Sequence, residues 1–201
     1  IAIYHRAEKI LKIKREKLFE EWGIDPVPFE PLPPQGTLGF RLRRYGMETW
    51  SDLFNNRQKF MLITFLEIIH NVKDKLYNHN FSKDLVSAVT TYLALGLDRL
   101  ADYGSVLCHL NSTGGRGVTN TFGRHAFPMV WDYMESNPLN IKAAGWATAC
   151  EKNEKWIMKA SFIKSNNSSI SQSSAHSLNY PNEYLDAVFT DPPYYDNIPY
   201  S

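Results

Sequence analysis

Two cysteines, Cys108 and Cys150, are all that 201 residues carry. Two thiols so far apart make neither a disulfide framework nor a zinc ligand set, and they read as buried thiols in a reducing compartment. Long apolar runs are missing too. The longest, Phe60 to Ile69, is interrupted by Glu67 and is too short to cross a bilayer. No charged-then-apolar leader opens the chain. The expectation is a cytoplasmic protein with no membrane partner and no metal. Charge of one sign is lacking as well. A net charge of +1 excludes a global pull towards nucleic acid, so any such contact must use local patches. What is plentiful is core material: 43% hydrophobic and 13% aromatic residues, which exclude a disordered chain.

Two glycine motifs are also absent. Asn111-Ser112-Thr113-Gly114-Gly115-Arg116-Gly117 is glycine-rich but lacks the Gly-Lys-Ser/Thr of a nucleoside-triphosphate loop. It also lacks the strand-then-helix setting of a dinucleotide fingerprint. Its bland reading is a long mobile loop. Its sharper reading is a loop that touches nucleic acid or closes over a site, with Arg116 and Arg124 as the substrate-binding cations. No histidine has a visible acid or nucleophile partner, so a hydrolase triad is unsupported, and His176 reads as a surface histidine.

In chain order, residues 1–22 read as an amphipathic helix, with Ile3, Ala7, Ile10, Leu11, Leu18 and Trp22 near helical spacing. Its opposite face carries Arg6, Lys9, Lys12, Lys14, Arg15 and Lys17, a phosphate-facing surface or a solvated face with Glu8–Lys12 support. Residues 23–36 hold five prolines and read as a stiff connector and domain boundary. Residues 37–164 read as a helical, insertion-type domain. Phe40 to Met47 forms a short strand or turn, with Arg41, Arg43 and Arg44 as a second basic cluster. Asn55 and Gln58 make a capping box for a deeply buried helix to about Tyr77. Ser82 caps another helix to about Leu110, and its Asp98, Arg99 and Asp102 form either a ligand contact or a salt-bridged face. Ala126 to Glu135 is expected as a short helix with Trp131 in the core. A last helix spans about Ala143 to Ile163.

Residues 165–201 are expected to be partly β. Ile170 to Ser174 would form an edge strand. Leu185, Ala187, Val188 and Phe189 would form a buried one that stops at Asp191-Pro192-Pro193-Tyr194. Prolines fix φ and offer carbonyls without donors, Asp191 adds a carboxylate, and Tyr194 adds a flat face. Such a loop can accept hydrogen bonds from an exocyclic amino group while the ring stacks, as a nucleobase out of its stack requires. A simple strand-ending turn would explain the prolines alone.

That motif resembles the catalytic loop of S-adenosylmethionine-dependent amino-methyltransferases, which methylate adenine N6 or cytosine N4. The longer run Phe189-Thr190-Asp191-Pro192-Pro193-Tyr194-Tyr195-Asp196-Asn197 is similar to the adenine-specific DNA methylase family. Three upstream stretches add to the likeness. They are Arg44-Tyr45-Gly46-Met47 with Trp50-Ser51-Asp52-Leu53-Phe54 and Arg57-Gln58, then Tyr92-Leu93-Ala94-Leu95 with Leu97-Asp98-Arg99-Leu100, and Phe122-Gly123-Arg124 with Pro128-Met129-Val130-Trp131-Asp132. The resemblance implies a mainly α chain with a partial Rossmann-like α/β segment at its C-terminal end. It implies Asp191, Pro192, Pro193 and Tyr194 as catalytic, Tyr195, Asp196 and Asn197 as pocket rim, S-adenosylmethionine as cofactor, and DNA as partner. RNA meets the same pocket chemistry. The family carries a Phe-x-Gly-x-Gly type turn for the cofactor and an acidic residue where Ser173-Ser174-Ala175-His176 stands here. With neither present, the expectation is a piece of a longer protein whose cofactor half lies outside Ile1–Ser201. The alternative from another class is a non-catalytic helical module that binds nucleic acid or another partner.

Overall fold

A computed structural model of the chain describes residues 2–37, 39–111, 117–123, 127, 129–141, 144–163 and 169–192. Their order is helix α1 (Ala2–Trp22), two 3-10 helices (Leu42–Tyr45 and Trp50–Leu53), helices α2 (Asn56–Asn78) and α3 (Lys83–Asp102), strands β1 (His109–Leu110) and β2 (Val118–Thr119), and helix α4 (Trp146–Ser161). The mainly α expectation holds.

Helix α2 is the hub. It packs on α1 at one side and on α3 at the other, and α4 packs on α3. Its start is the expected capping box: the Asn55 side chain accepts from the Arg57 and Gln58 N–H groups, and the Gln58 side chain accepts from the Asn55 N–H. Ile63 and Ile69 are buried, yet Ile68 is half exposed, so the apolar circumference is only partly covered. Helix α3 starts at the Ser82 cap and ends at Asp102 rather than near Leu110. Asp102 stops it by accepting elsewhere. Its carboxylate takes the Phe122 N–H at 2.8 Å and the Asn120 side chain at 3.0 Å, and its carbonyl takes the Thr121 N–H. Strands β1 and β2 then pair antiparallel where a helix end was expected, His109 with Thr119 and Leu110 with Val118.

Two apolar clusters form the core. Leu11, Leu18, Val27 and Ile63 make one, while Leu32, Leu42, Leu53, Leu107 and Phe127 make the other. The proline-rich stretch contributes to both, through Val27 and Leu32. It is held by pairing with residues 48–50: the Leu32 N–H donates to Glu48 at 2.8 Å and the Trp50 N–H to Glu30 at 3.1 Å.

Four of the six cations on the basic face of α1 form ion pairs. Lys14 and Lys17 both reach Glu67 on α2, Arg15 forks onto Asp25, and Lys12 pairs with Glu16 rather than Glu8. A phosphate-facing role for these cations is therefore not supported.

Three further expectations are corrected. The described residues between Phe127 and Glu135 are not helical. Their N–H groups are committed to distant carbonyls, Phe127 to Gly39 and Met134 to Cys108, which removes the i to i−4 ladder a helix needs. Ile170 to Ser174 is not a strand, and neither is Leu185 to Phe189. Both are exposed, Phe189 at 95%. A strand needs a neighbour to take its backbone groups, and none lies beside these residues among those described.

Candidate functional site

The Asp191 and Pro192 residues close an exposed, irregular segment, 169–192, whose one internal ring contact is Tyr180 stacked on Tyr184 at 5.5 Å. Both are solvent-exposed, so the carboxylate and the proline carbonyl are free acceptors at the surface. Pro193, Tyr194, Tyr195, Asp196 and Asn197 lie outside the described residues, as do Arg116 and Arg124. Of the sequence-derived site residues, Asp191 and Pro192 are thus the two among the described residues. The structure does fix the roots of the Arg116 loop. Strands β1 and β2 close it, the Asn111 N–H donates to the Gly117 carbonyl at 2.9 Å, and Asp102 clamps the far side.

The three polar residues of α3 separate. Asp102 is the structural clamp already described. Arg99 lies over the Tyr103 ring at 4.9 Å. Asp98 opens into a cavity of about 280 Å³ between the proline-rich stretch, α2 and α3, walled by Val27, Phe54, Leu62, Ile63 and Leu97. Burial raises the Asp98 carboxyl above its ordinary range. Lys59, across the same cavity, is lowered by burial, against the opposing pull of Asp52. No ion pair joins Asp98 to Lys59. An apolar cavity with two unpaired opposite charges is ligand-sized, and only the packing of α2 on α3 creates it.

Other titrations are structural. Hydrogen bonds from Arg15, and then from the Val27 N–H, hold Asp25 below the usual carboxylate range against its burial. Lys14 and then Lys17 do the same for Glu67. Burial works against Asp52, yet the Thr49 and Glu48 N–H groups still hold it low. Cys108 is fully buried in a small polar knot with Ser105 and Thr121, and Cys150 is half-buried with its thiol pushed up by burial. The upward shift at Cys150 is the opposite of what a reactive thiol needs. Among the described residues no group of three His, Cys, Asp or Glu gathers to hold a metal, and no helix is long and apolar enough to cross a membrane.

A third feature was missed by sequence reasoning. Trp131, expected in the core, is 81% exposed, and it meets Tyr45 edge to face at 6.2 Å and 86°. Arg41, the N-cap of the first 3-10 helix, and Arg44 within it lie close to Tyr45 in the chain, both exposed. The signal that could have found it is proline spacing: Pro128 and Pro138 bracket a stretch too short for a stable helix.

The described residues do not fit S-adenosylmethionine. Among the described residues no glycine forms a short turn that leads directly from a strand into a helix, the setting that lets a backbone approach this class of ligand; Gly123 and Gly145 lie in the long stretch between β2 and α4. The glycine inside α3, Gly96, serves packing instead: a Cβ there would meet the Trp146 ring at 3.2 Å. Comparison with family models, curated proteins and solved structures finds no match to this chain.

Proposed function

We propose that this chain is part of a cytoplasmic S-adenosylmethionine-dependent amino-methyltransferase acting on DNA, with adenine N6 as the target nitrogen. One observation carries the reading: Asp191-Pro192-Pro193-Tyr194 directly after an apolar run, with Tyr195, Asp196 and Asn197 following. The exposure of Asp191 and Pro192 supports it, because a surface loop of acceptors can meet a base rotated out of a duplex. In this reading the Asp191 carboxylate and the Pro192 carbonyl accept hydrogen bonds from the amino group, and Tyr194 stacks on the base. Their contribution is positioning and polarisation of the nitrogen. Residues 165–201 complete a Rossmann-like segment in the whole protein, and other parts of that polypeptide hold the cofactor, which supplies the methyl group.

The experiment is transfer of labelled methyl from S-adenosylmethionine to duplex DNA and to RNA by the full-length protein. Transfer to DNA should fall about a hundredfold or more in both Asp191→Ala and Tyr194→Ala, the size of a lost oxyanion-hole-type contact. Transfer to RNA alone would move the substrate and keep the chemistry. A second reading has its own support in the helical scaffold and the missing glycine turn: a non-catalytic module that binds nucleic acid. Binding without any transfer, from folded protein that also fails to bind the cofactor, would put it first.

A further inference from the structure

We propose that Tyr45 and Trp131, flanked by Arg41 and Arg44, form a platform that binds single-stranded nucleic acid by stacking its bases and holding its phosphates. This deepens the nucleic-acid part of the reading above, rests on it for substrate class alone, and needs no methyl transfer.

Geometry is the first support. Trp131 is 81% and Tyr45 49% exposed, so both rings present surface to solvent. Their edge-to-face contact braces the two rings while leaving ring surface free for a base. The platform is also held from behind. Beneath Tyr45, Leu42 is buried, and Arg43 donates to the Leu32 carbonyl at 2.7 Å and lies 3.9 Å from Glu48. Behind Trp131, the Met134 N–H donates to Cys108 and the Asn55 amide donates to the Tyr133 hydroxyl at 2.9 Å. Rings held this way lose little freedom on binding.

Charge is the second support. Arg43 is consumed internally, but the Arg41 and Arg44 side chains make no hydrogen bond or ion pair among the described residues. Two unpaired guanidinium groups within four residues of Tyr45 suit a backbone phosphate next to an unstacked base. Duplex bases present edges only, so the open rings select single strands. The acid beside the rings, Asp132, is exposed and works against phosphate, which keeps the site dependent on stacking.

The test is fluorescence anisotropy of the full chain with labelled 20-nucleotide single strands of DNA and RNA, and with the matching duplex. Expected is binding to single strands at least tenfold tighter than to duplex. Trp131→Ala and Tyr45→Ala should each weaken it about tenfold. The double variant Arg41→Gln, Arg44→Gln should weaken it and flatten its salt dependence. Trp156→Ala, an equally open tryptophan on α4 (70% exposed), should leave it unchanged. Circular dichroism on each variant checks the fold. The proposal is overturned by absence of binding, by equal affinity for duplex, or by Trp131→Ala binding as wild type does. Binding that survives in protein inactive for methyl transfer would fail the enzyme reading and leave this one standing. The DNA and RNA arms separate the two sources of strand.

Discussion

Single residues with two duties decide much of this molecule. Asn55 caps α2 through its carbonyl oxygen and reaches Tyr133 through its amide. Asn55→Ala should lower stability by about 1 kcal/mol, a typical capping loss, seen as a shift of the urea midpoint at unchanged slope. Carboxylates split by sign. Asp25, Asp52 and Glu67 sit below their ordinary range, so each stabilises the fold above its unfolded pKa, and that stability is lost as pH falls through the folded pKa. Asp98 is raised, so its ionised form costs stability above the folded pKa, and acidification relieves that cost. Asp98→Asn should therefore raise the urea midpoint at pH 7, with the gain shrinking as pH falls into the carboxylate range. A gain that is constant with pH would show that ionisation is not the cause.

At the scale of elements, α3 and α4 meet where a glycine allows it. The Trp146 ring lies 3.2 Å from where a Gly96 Cβ would stand, and it also touches Phe65 of α2 at 5.0 Å. Gly96→Leu should wedge these helices apart and cost about 1–3 kcal/mol, the range for overpacking, read as a lower thermal midpoint with the far-ultraviolet spectrum retained. A midpoint equal to wild type would mean that Trp146 swings clear. Asp102 holds the residues just after β2 as Asn55 holds the start of α2: one polar side chain at a helix end answers backbone donors.

For the whole molecule, the net charge of +1 has a consequence for binding. Lys14, Lys17 and Arg15 of α1 are paired to Glu67 and Asp25, whereas Arg41 and Arg44 are the cations proposed for the platform. Two phosphate contacts on a single strand give a slope of about −1.4 for log affinity against log salt. A much steeper slope in the anisotropy titration would place additional cations on the nucleic acid and shift weight from stacking to backbone contact. Large apolar side chains also remain open on α4 and beyond, such as Trp156, Phe162 and Ile163, and these lie apart from both core clusters.

The local codes were legible in the amino-acid order. Helical spacing marked α1, α2 and α4. The Asn55–Gln58 box and Ser82 marked two helix starts to the residue, because a cap is a contact within one turn. The proposed role of Asp191-Pro192-Pro193-Tyr194 rests on the same kind of local reading of the amino-acid order. What depended on distant partners was not legible. Asp102 ends α3 by accepting from residues about twenty positions later, the Phe127 and Met134 N–H groups go to Gly39 and Cys108, and Leu185 to Phe189 has no strand beside it among the described residues. Trp131 shows the same division: composition assigned it to the core, but the hydrogen bonds of its neighbours carry it to the surface beside Tyr45. Sequence periodicity reports which residues want burial. Only tertiary structure decides which obtain it, because buried area and backbone partners are shared among segments far apart in the chain.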